Sequence, residues 1–219
     1  MLLGIDTCGS TGTIALAQRE GDQIAILGTA ELANKTYDAL LIPRLRALLE
    51  THHVSLQEME AIVIVNGPGS FTGVRVGVSA VKGLAEATSI PVIAVSRLRV
   101  LAQKAQMPYA ALDAGRGEFY FGNYTDGHHE ALMSVEELRA AASVFQLAIC
   151  EEKAAAVFPE AQIMDQPNAT DALALAVPRL LAKDFDDLAA LDGNYLRRSD
   201  AELFARPKLN VKLADIRNA

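Results

Sequence analysis

Asn66-Gly-Pro-Gly-Ser-Phe-Thr-Gly-Val-Arg-Val-Gly77 follows an unbroken apolar run, Ala61 to Val65, and leads into residues that return apolar side chains at helical spacing from Val74 to Ala87. An uncharged, β-branched run of that kind suits a strand buried on both faces, and the spacing after it suits a helix. The stretch therefore reads as a loop joining a central strand to a helix. Gly67, Gly69 and Gly73 allow positive φ or a close backbone approach, Pro68 fixes its own φ, and Ser70 and Thr72 are both able to cap the helix. Backbone N–H groups and a helix N-terminus in one place suit an anion, but a tight turn whose glycines let a helix pack closely on a sheet would look the same. A Walker A loop is excluded because Val74, not lysine, follows Gly73, and the glycine spacing is one residue too long for a dinucleotide fingerprint.

Outward from this loop, the composition bounds the function. With 219 residues and 51% hydrophobic content, the chain can bury a sizeable core as one domain or two small ones. A net charge of −7 leaves no global basic field to draw it onto nucleic acid or an anionic membrane, so if RNA is involved a partner holds most of it. Cys8 and Cys150 are far apart and give neither a disulfide framework nor a metal spacing, which fits a reduced, cytoplasmic setting. The opening Leu2-Leu3-Gly4-Ile5 carries no leader signal, and no apolar run approaches the roughly 20 residues that span a bilayer.

In chain order, Leu2 to Ile5 reads as a strand ending at Asp6-Thr7, Cys8 to Gly12 as a glycine-bearing turn and Thr13 to Ala17 as the returning strand. Gln23 to Leu32 reads as a third, antiparallel strand. A helix from Lys35 to Leu49 carries a stripe of Leu40, Leu41, Leu45 and Leu48, with Pro43 in its first turns and His52-His53 beyond its end. Further strand–helix units are Ala61 to Ala87 and Pro91 to Gln106. Pro108 marks a domain boundary, giving lobes 1–107 and 108–219, the second smaller. Tyr109 to Leu112, the turn Asp113-Ala114-Gly115-Arg116-Gly117-Glu118 and the alternating Phe119 to Tyr124 repeat the opening hairpin. After them come a helix at Val135 to Ala142, strands at Val144 to Ile149 and Gln162 to Met164, a helix from Asp171 to about Lys183, and a polar tail from Leu203.

An aspartate at each of two hairpin mouths, with helices on mixed sheets, resembles the two-lobed actin-like ATPase (ribonuclease H-like) fold, a duplicated α/β architecture whose hairpins grip nucleotide phosphates between the lobes. Asn66 to Gly77 is closer still to the signature of the bacterial TsaB (YeaZ) family, which usually carries arginine where this chain has Asn66. The likeness continues through Lys82-Gly83-Leu84-Ala85, Ile90-Pro91-Val92, Val95-Ser96, Asp113-Ala114, Glu118, Tyr120 and Tyr195-Leu196-Arg197. The resemblance implies a part in making N6-threonylcarbamoyladenosine at position 37 of tRNAs that read codons beginning with A. It implies no catalysis by this chain, binding to the catalytic paralogue TsaD, assistance by the ATPase TsaE, tRNA held indirectly through the complex, and pairing with itself as a homodimer when alone.

The resemblance also assigns surfaces. The helices after the third and fourth strands become the partner interface, through Tyr37, Leu40, Leu41, Arg44, Leu45, Leu48, Val74, Arg75, Val78, Val81 and Lys82, unless these side chains are simply core. Gly67, Pro68, Gly69, Ser70, Thr72 and Gly73 become a structural loop. The catalytic relative's metal-binding His-x-x-x-His pair has no counterpart, since His52-His53 and His128-His129 are adjacent doublets read as solvated turn residues. Asp6, Thr7 and Asp113 are vestigial candidates for holding nucleotide, with ATP or ADP and magnesium expected only weakly and in the complex. Arg116 and Glu118 stand where a phosphate-gripping turn would offer glycine and hydroxyl groups. The alternative is a nucleotide-dependent ATPase or kinase using Asp6 and Asp113. An NADP-dependent oxidoreductase with Arg97 on the 2′-phosphate has the wrong glycine spacing, and a metallopeptidase lacks its motif.

Overall fold

The chain was analysed as a computed structural model that describes residues 1–33 and 37–197. The expected helix start at Lys35 and the polar tail from Leu203 lie outside the described residues.

Two five-stranded mixed sheets form the frame, as the duplicated architecture requires. The first has the order β3-β2-β1-β4-β5, with β1 (Leu2–Asp6), β2 (Gly12–Glu20), β3 (Gln23–Leu32), β4 (Ala61–Val65) and β5 (Val92–Val95). β1 pairs antiparallel with β2 and parallel with β4, and every residue of β1 and β4 is buried. Strands buried on both faces need a cover on each. Side chains alternate across a strand, so Gly4 and its register partner Val63 face one way and Ile64 the other. On the Gly4 side, α6 (Ala169–Leu181) approaches so closely that a Cβ there would meet the Ala169 carbonyl oxygen at 2.8 Å. On the Ile64 side lies α2 (Phe71–Thr88), with α1 (Tyr37–Thr51) beside it.

The second sheet has the order β10-β9-β6-β7-β8, built from β6 (Tyr109–Gly115), β7 (Glu118–Asn123), β8 (His129–Ser134), β9 (Leu147–Ile149) and β10 (Gln162–Ile163). On it pack α3 (Arg97–Ala105), α4 (Val135–Ala141) and α5 (Glu152–Val157). Strand β8 and helix α5 had no sequence expectation. His129 opens β8 on an exposed edge and is not a turn residue, whereas His53 stands in a turn at φ 55°.

The boundary at Pro108 separates the two sheets but not their cores. Leu98, Leu101, Ala102 and Ala105 of α3 pack with Ala110, Leu112 and Tyr120 of the second sheet. Ala169, Ala172, Leu173, Ala176 and Leu180 of α6 join the core of the first. Each half of the chain thus lends one helix to the other half's sheet, and α3 and α6 touch where they cross. The second half caps its returning helix with Asn168, which accepts the N–H groups of Thr170 and Asp171 at 2.9 and 3.2 Å while Asp171 accepts the Asn168 N–H.

Candidate functional site

Both hairpins begin with the same local device. The Asp6 carboxylate accepts the Cys8 N–H at 2.8 Å, and the Asp113 carboxylate accepts the Gly115 N–H at 2.8 Å. These are Asx turns, in which the side chain satisfies a backbone donor two residues ahead and bends the chain.

The first turn is packed against the Gly67 to Gly73 loop. Ser70 N–H donates to the Cys8 carbonyl at 2.9 Å, the Thr7 hydroxyl donates to the Gly73 carbonyl at 2.7 Å, and the Tyr37 hydroxyl donates to the Gly9 carbonyl at 2.8 Å. A Cβ on Gly69 would collide with the Cys8 carbonyl oxygen, and one on Gly73 with that of Thr7. Of the three loop glycines only Gly67 has positive φ, at 113°, and its bond to Pro68 is cis. The remaining two are needed for contact, so close packing of hairpin on helix accounts for them. Ser70 is the helix cap, accepting the Gly73 N–H at 3.3 Å, while Thr72 lies exposed inside the first turn of α2.

A cleft of about 520 Å³ opens between the hairpins, lined by Gly9, Ser70, Arg97, Asp113, Glu151 and Lys153 among others. Arg97 is only 5% exposed, and Asp6 only 2%. The Arg97 N–H donates to the Gly67 carbonyl at 2.7 Å, its guanidinium binds the Gln166 side-chain oxygen, and its Nε has no partner among the described residues. Burial works against the Arg97 charge, but the attraction of Asp6 outweighs it together with weaker neighbours, leaving the guanidinium firmly protonated. Burial in turn raises the Asp6 carboxyl above its ordinary value, with Arg97 and the Cys8 N–H pulling partly back. Glu151 is also raised by burial, opposed first by the Asp113 N–H that it accepts at 3.0 Å. Burial pushes the Cys150 thiol up to about 12.

Sequence reasoning placed Arg97 at a helix start and gave no sign that it would be buried at the floor of this cleft. Gln166, Glu151 and Lys153 were missed as well: Glu151 and Lys153 stand at the start of α5, Gln166 before α6, and no sequence pattern joins them. The Asp113 and Glu151 carboxylates line the cleft, and the Arg97 charge is already balanced against Asp6. Among the described residues no group of three or more His, Cys, Asp or Glu side chains is arranged to hold a metal.

The two helices expected to meet a partner show a divided surface. Tyr37, Leu41, Leu45, Leu48, Val74, Val78 and Val81 are all buried in the first core, although Leu45 also lines the floor of a surface groove. Arg44 and Arg75 are exposed, and Leu40 and Lys82 are half-buried. Lys82 is turned inward along the chain, donating to the Leu191 carbonyl at 3.0 Å. One accessible apolar feature is a groove of about 220 Å³ between α1 and α2, walled by Ile42, Leu45, Leu49, Val54, Leu56 and Leu84. Ile42 at its rim is 47% exposed. Among the described residues no helix is long and apolar enough to cross a membrane.

Residues 29–200 match the model of the family described as TsaD, tRNA N6-adenosine threonylcarbamoyltransferase. The chain is 36% identical over 126 residues to the tRNA threonylcarbamoyladenosine biosynthesis protein TsaB of Haemophilus influenzae, a match covering 55% of this chain and 52% of that protein. It is 38% identical over 127 residues to the Bacillus subtilis protein of the same name, covering 56% and 54%. The chain thus spans about half the length of the curated relatives it matches. YeaZ from Pseudomonas aeruginosa superposes with a TM-score of 0.72 at 27% identity, over 89% of this chain and 99% of that one. A second Pseudomonas aeruginosa structure, described as similar to peptidase YeaZ, gives 0.71 at 28% identity over 90% and 99%. The two-lobed mixed α/β arrangement expected of the actin-like architecture is therefore shared with these structures.

Proposed function

We propose that this chain, which belongs to the family described as TsaD and is similar to TsaB and YeaZ proteins, is a non-catalytic accessory subunit of tRNA threonylcarbamoyladenosine biosynthesis that binds and activates the catalytic paralogue TsaD. The single observation carrying the reading is the apolar groove between α1 and α2 with Ile42 exposed at its rim. Burying such a side chain on association stabilises by about 1.5–3 kcal/mol, and the flanking Arg46 and Glu50 supply a polar rim. The cleft supports the non-catalytic part, because its inward carboxylates oppose phosphate and Arg97 is held between Gln166 and the attraction of Asp6. The working assembly is TsaD with the ATPase TsaE, in the cytoplasm, with tRNA held mainly by partners since the net charge here is −7. When alone, this chain uses the same groove to pair with itself.

The test is tRNA threonylcarbamoylation by purified TsaD and TsaE with and without this chain, together with co-purification of Ile42→Glu. Modification is expected only with the chain present, and Ile42→Glu is expected to lose TsaD while keeping its fold. Turnover by the chain alone, or wild-type pairing of Ile42→Glu, would sink the proposal. Calorimetry with ATP and magnesium separates the kinase-like alternative, which requires binding by the isolated chain that Asp113→Ala abolishes.

A further inference from the structure

The last described residues, among them the Tyr195-Leu196-Arg197 of the family likeness, run between the lobes. On the first lobe, Lys82 holds the Leu191 carbonyl at 3.0 Å, the Asn66 amide donates to the Asp192 carbonyl at 3.2 Å, and the Asn194 N–H donates to the Asn66 carbonyl at 2.7 Å. The Tyr195 ring then stacks on Phe71 with centroids 4.9 Å apart, and the Arg75 guanidinium lies 5.1 Å from the Phe71 ring centre. Within the same few residues the attachment passes to the second lobe. The Asn194 side-chain amide donates to Glu130 at 2.6 Å, and Leu196 packs into the core beside α3. Arg197 pairs with Glu118 at 2.7 Å and donates to the Gly115 carbonyl at 3.2 Å.

The two anchoring points are the two rims of the cleft. Phe71 follows Ser70, which lines one side, and Gly115 lines the other. Glu118 closes the second hairpin turn, whose Gly115 and Gly117 both have positive φ and open space where a Cβ would stand. Arg197 links that turn to the segment anchored on the packed rim.

We propose that residues 191–197 form a strap that sets the width of the inter-lobe cleft, which opens when Arg197 leaves Glu118 and Gly115. The stacked Phe71–Tyr195 pair is the fixed end and the arginine the releasable one. This device is independent of which partner the chain serves. A partner contact that draws on Arg75 would bear on the fixed end directly, because its guanidinium already lies against both stacked rings.

Cys8 supplies the probe, since it lines the cleft yet is 2% exposed. Arg197→Ala and Glu118→Gln are compared with the parent chain by the rate at which N-ethylmaleimide labels Cys8, followed by peptide mass spectrometry, with amide exchange of α6 as the control for integrity. Labelling is expected to rise about five-fold, the size that a partly exposed ion pair supports, with α6 protection unchanged. Unchanged labelling in both variants would overturn the strap. So would a rise that in both variants comes only with loss of α6 protection, since that is global unfolding.

Discussion

The two hairpin turns start from the same chemistry and end in different physical states. Asp6 and Asp113 each accept a backbone N–H two residues ahead at 2.8 Å. Around Asp6 the space is filled: Thr7 and Cys8 touch the backbone of the glycine loop, and the carboxylate is 2% exposed. Around Asp113 it is open, with a fifth of the side chain exposed, Lys153 3.5 Å away, and glycines at 115 and 117 where an added Cβ would meet nothing within 4 Å. A local turn is thus an instruction about direction only. Whether it becomes a packed keystone or a movable rim depends on what the rest of the chain lays against it.

Substitutions that load each turn separately test this contrast. Gly73→Ala puts a methyl group into the Thr7 carbonyl, where backbone on both sides has little room to give. A loss of about 3 kcal/mol or more is expected in urea unfolding. Gly117→Ala meets only the strain of φ 78° and should cost about 1 kcal/mol. Equal losses would break the comparison.

The acids should divide the same way, by a smaller margin. Asp6→Ala leaves the buried Cys8 N–H without its acceptor and Arg97 without its counter-charge, for a loss of about 2 kcal/mol. Asp113→Ala, solvated and paired with an exposed lysine, should cost less than about 1 kcal/mol. Thermal melts of the two variants side by side give the ranking.

The smallest effect is in pH dependence. The folded chain holds the Asp6 proton more tightly than the unfolded chain, because burial raises its carboxyl above 3.8. Between that value and the raised one the native state binds more protons, so stability falls as pH rises through the window. Asp6→Asn should remove this slope and Asp113→Asn should leave it, as stability measured from pH 3 to 7 would show. An unchanged slope in Asp6→Asn would mean that another group carries it.

Much of the local structure was legible in the residues. Gln23–Leu32 and Ala61–Val65 have the bounds that alternation and β-branching indicate, and the duplicated Asp-turn pattern pointed to two lobes. Strand β8 escaped notice because His128-His129 read as turn residues, and its pairing with β7 comes from register across the sheet. On α1, Tyr37, Leu41, Leu45 and Leu48 form the buried stripe, while Ile42 is left outside it. Hydrophobicity alone could not separate these leucines from a contact surface.

What the sequence determined by itself was the order of most elements and the Asp-headed turns, set by interactions within a few residues. Only the tertiary structure decided that α3 and α6 change lobes, that Arg97 is buried opposite Asp6, and that residues 191–197 tie the cleft rims together. These depend on groups separated by dozens of positions. Their closeness is fixed by which faces remain to be covered once both sheets have formed, and periodicity along the chain carries no information about that.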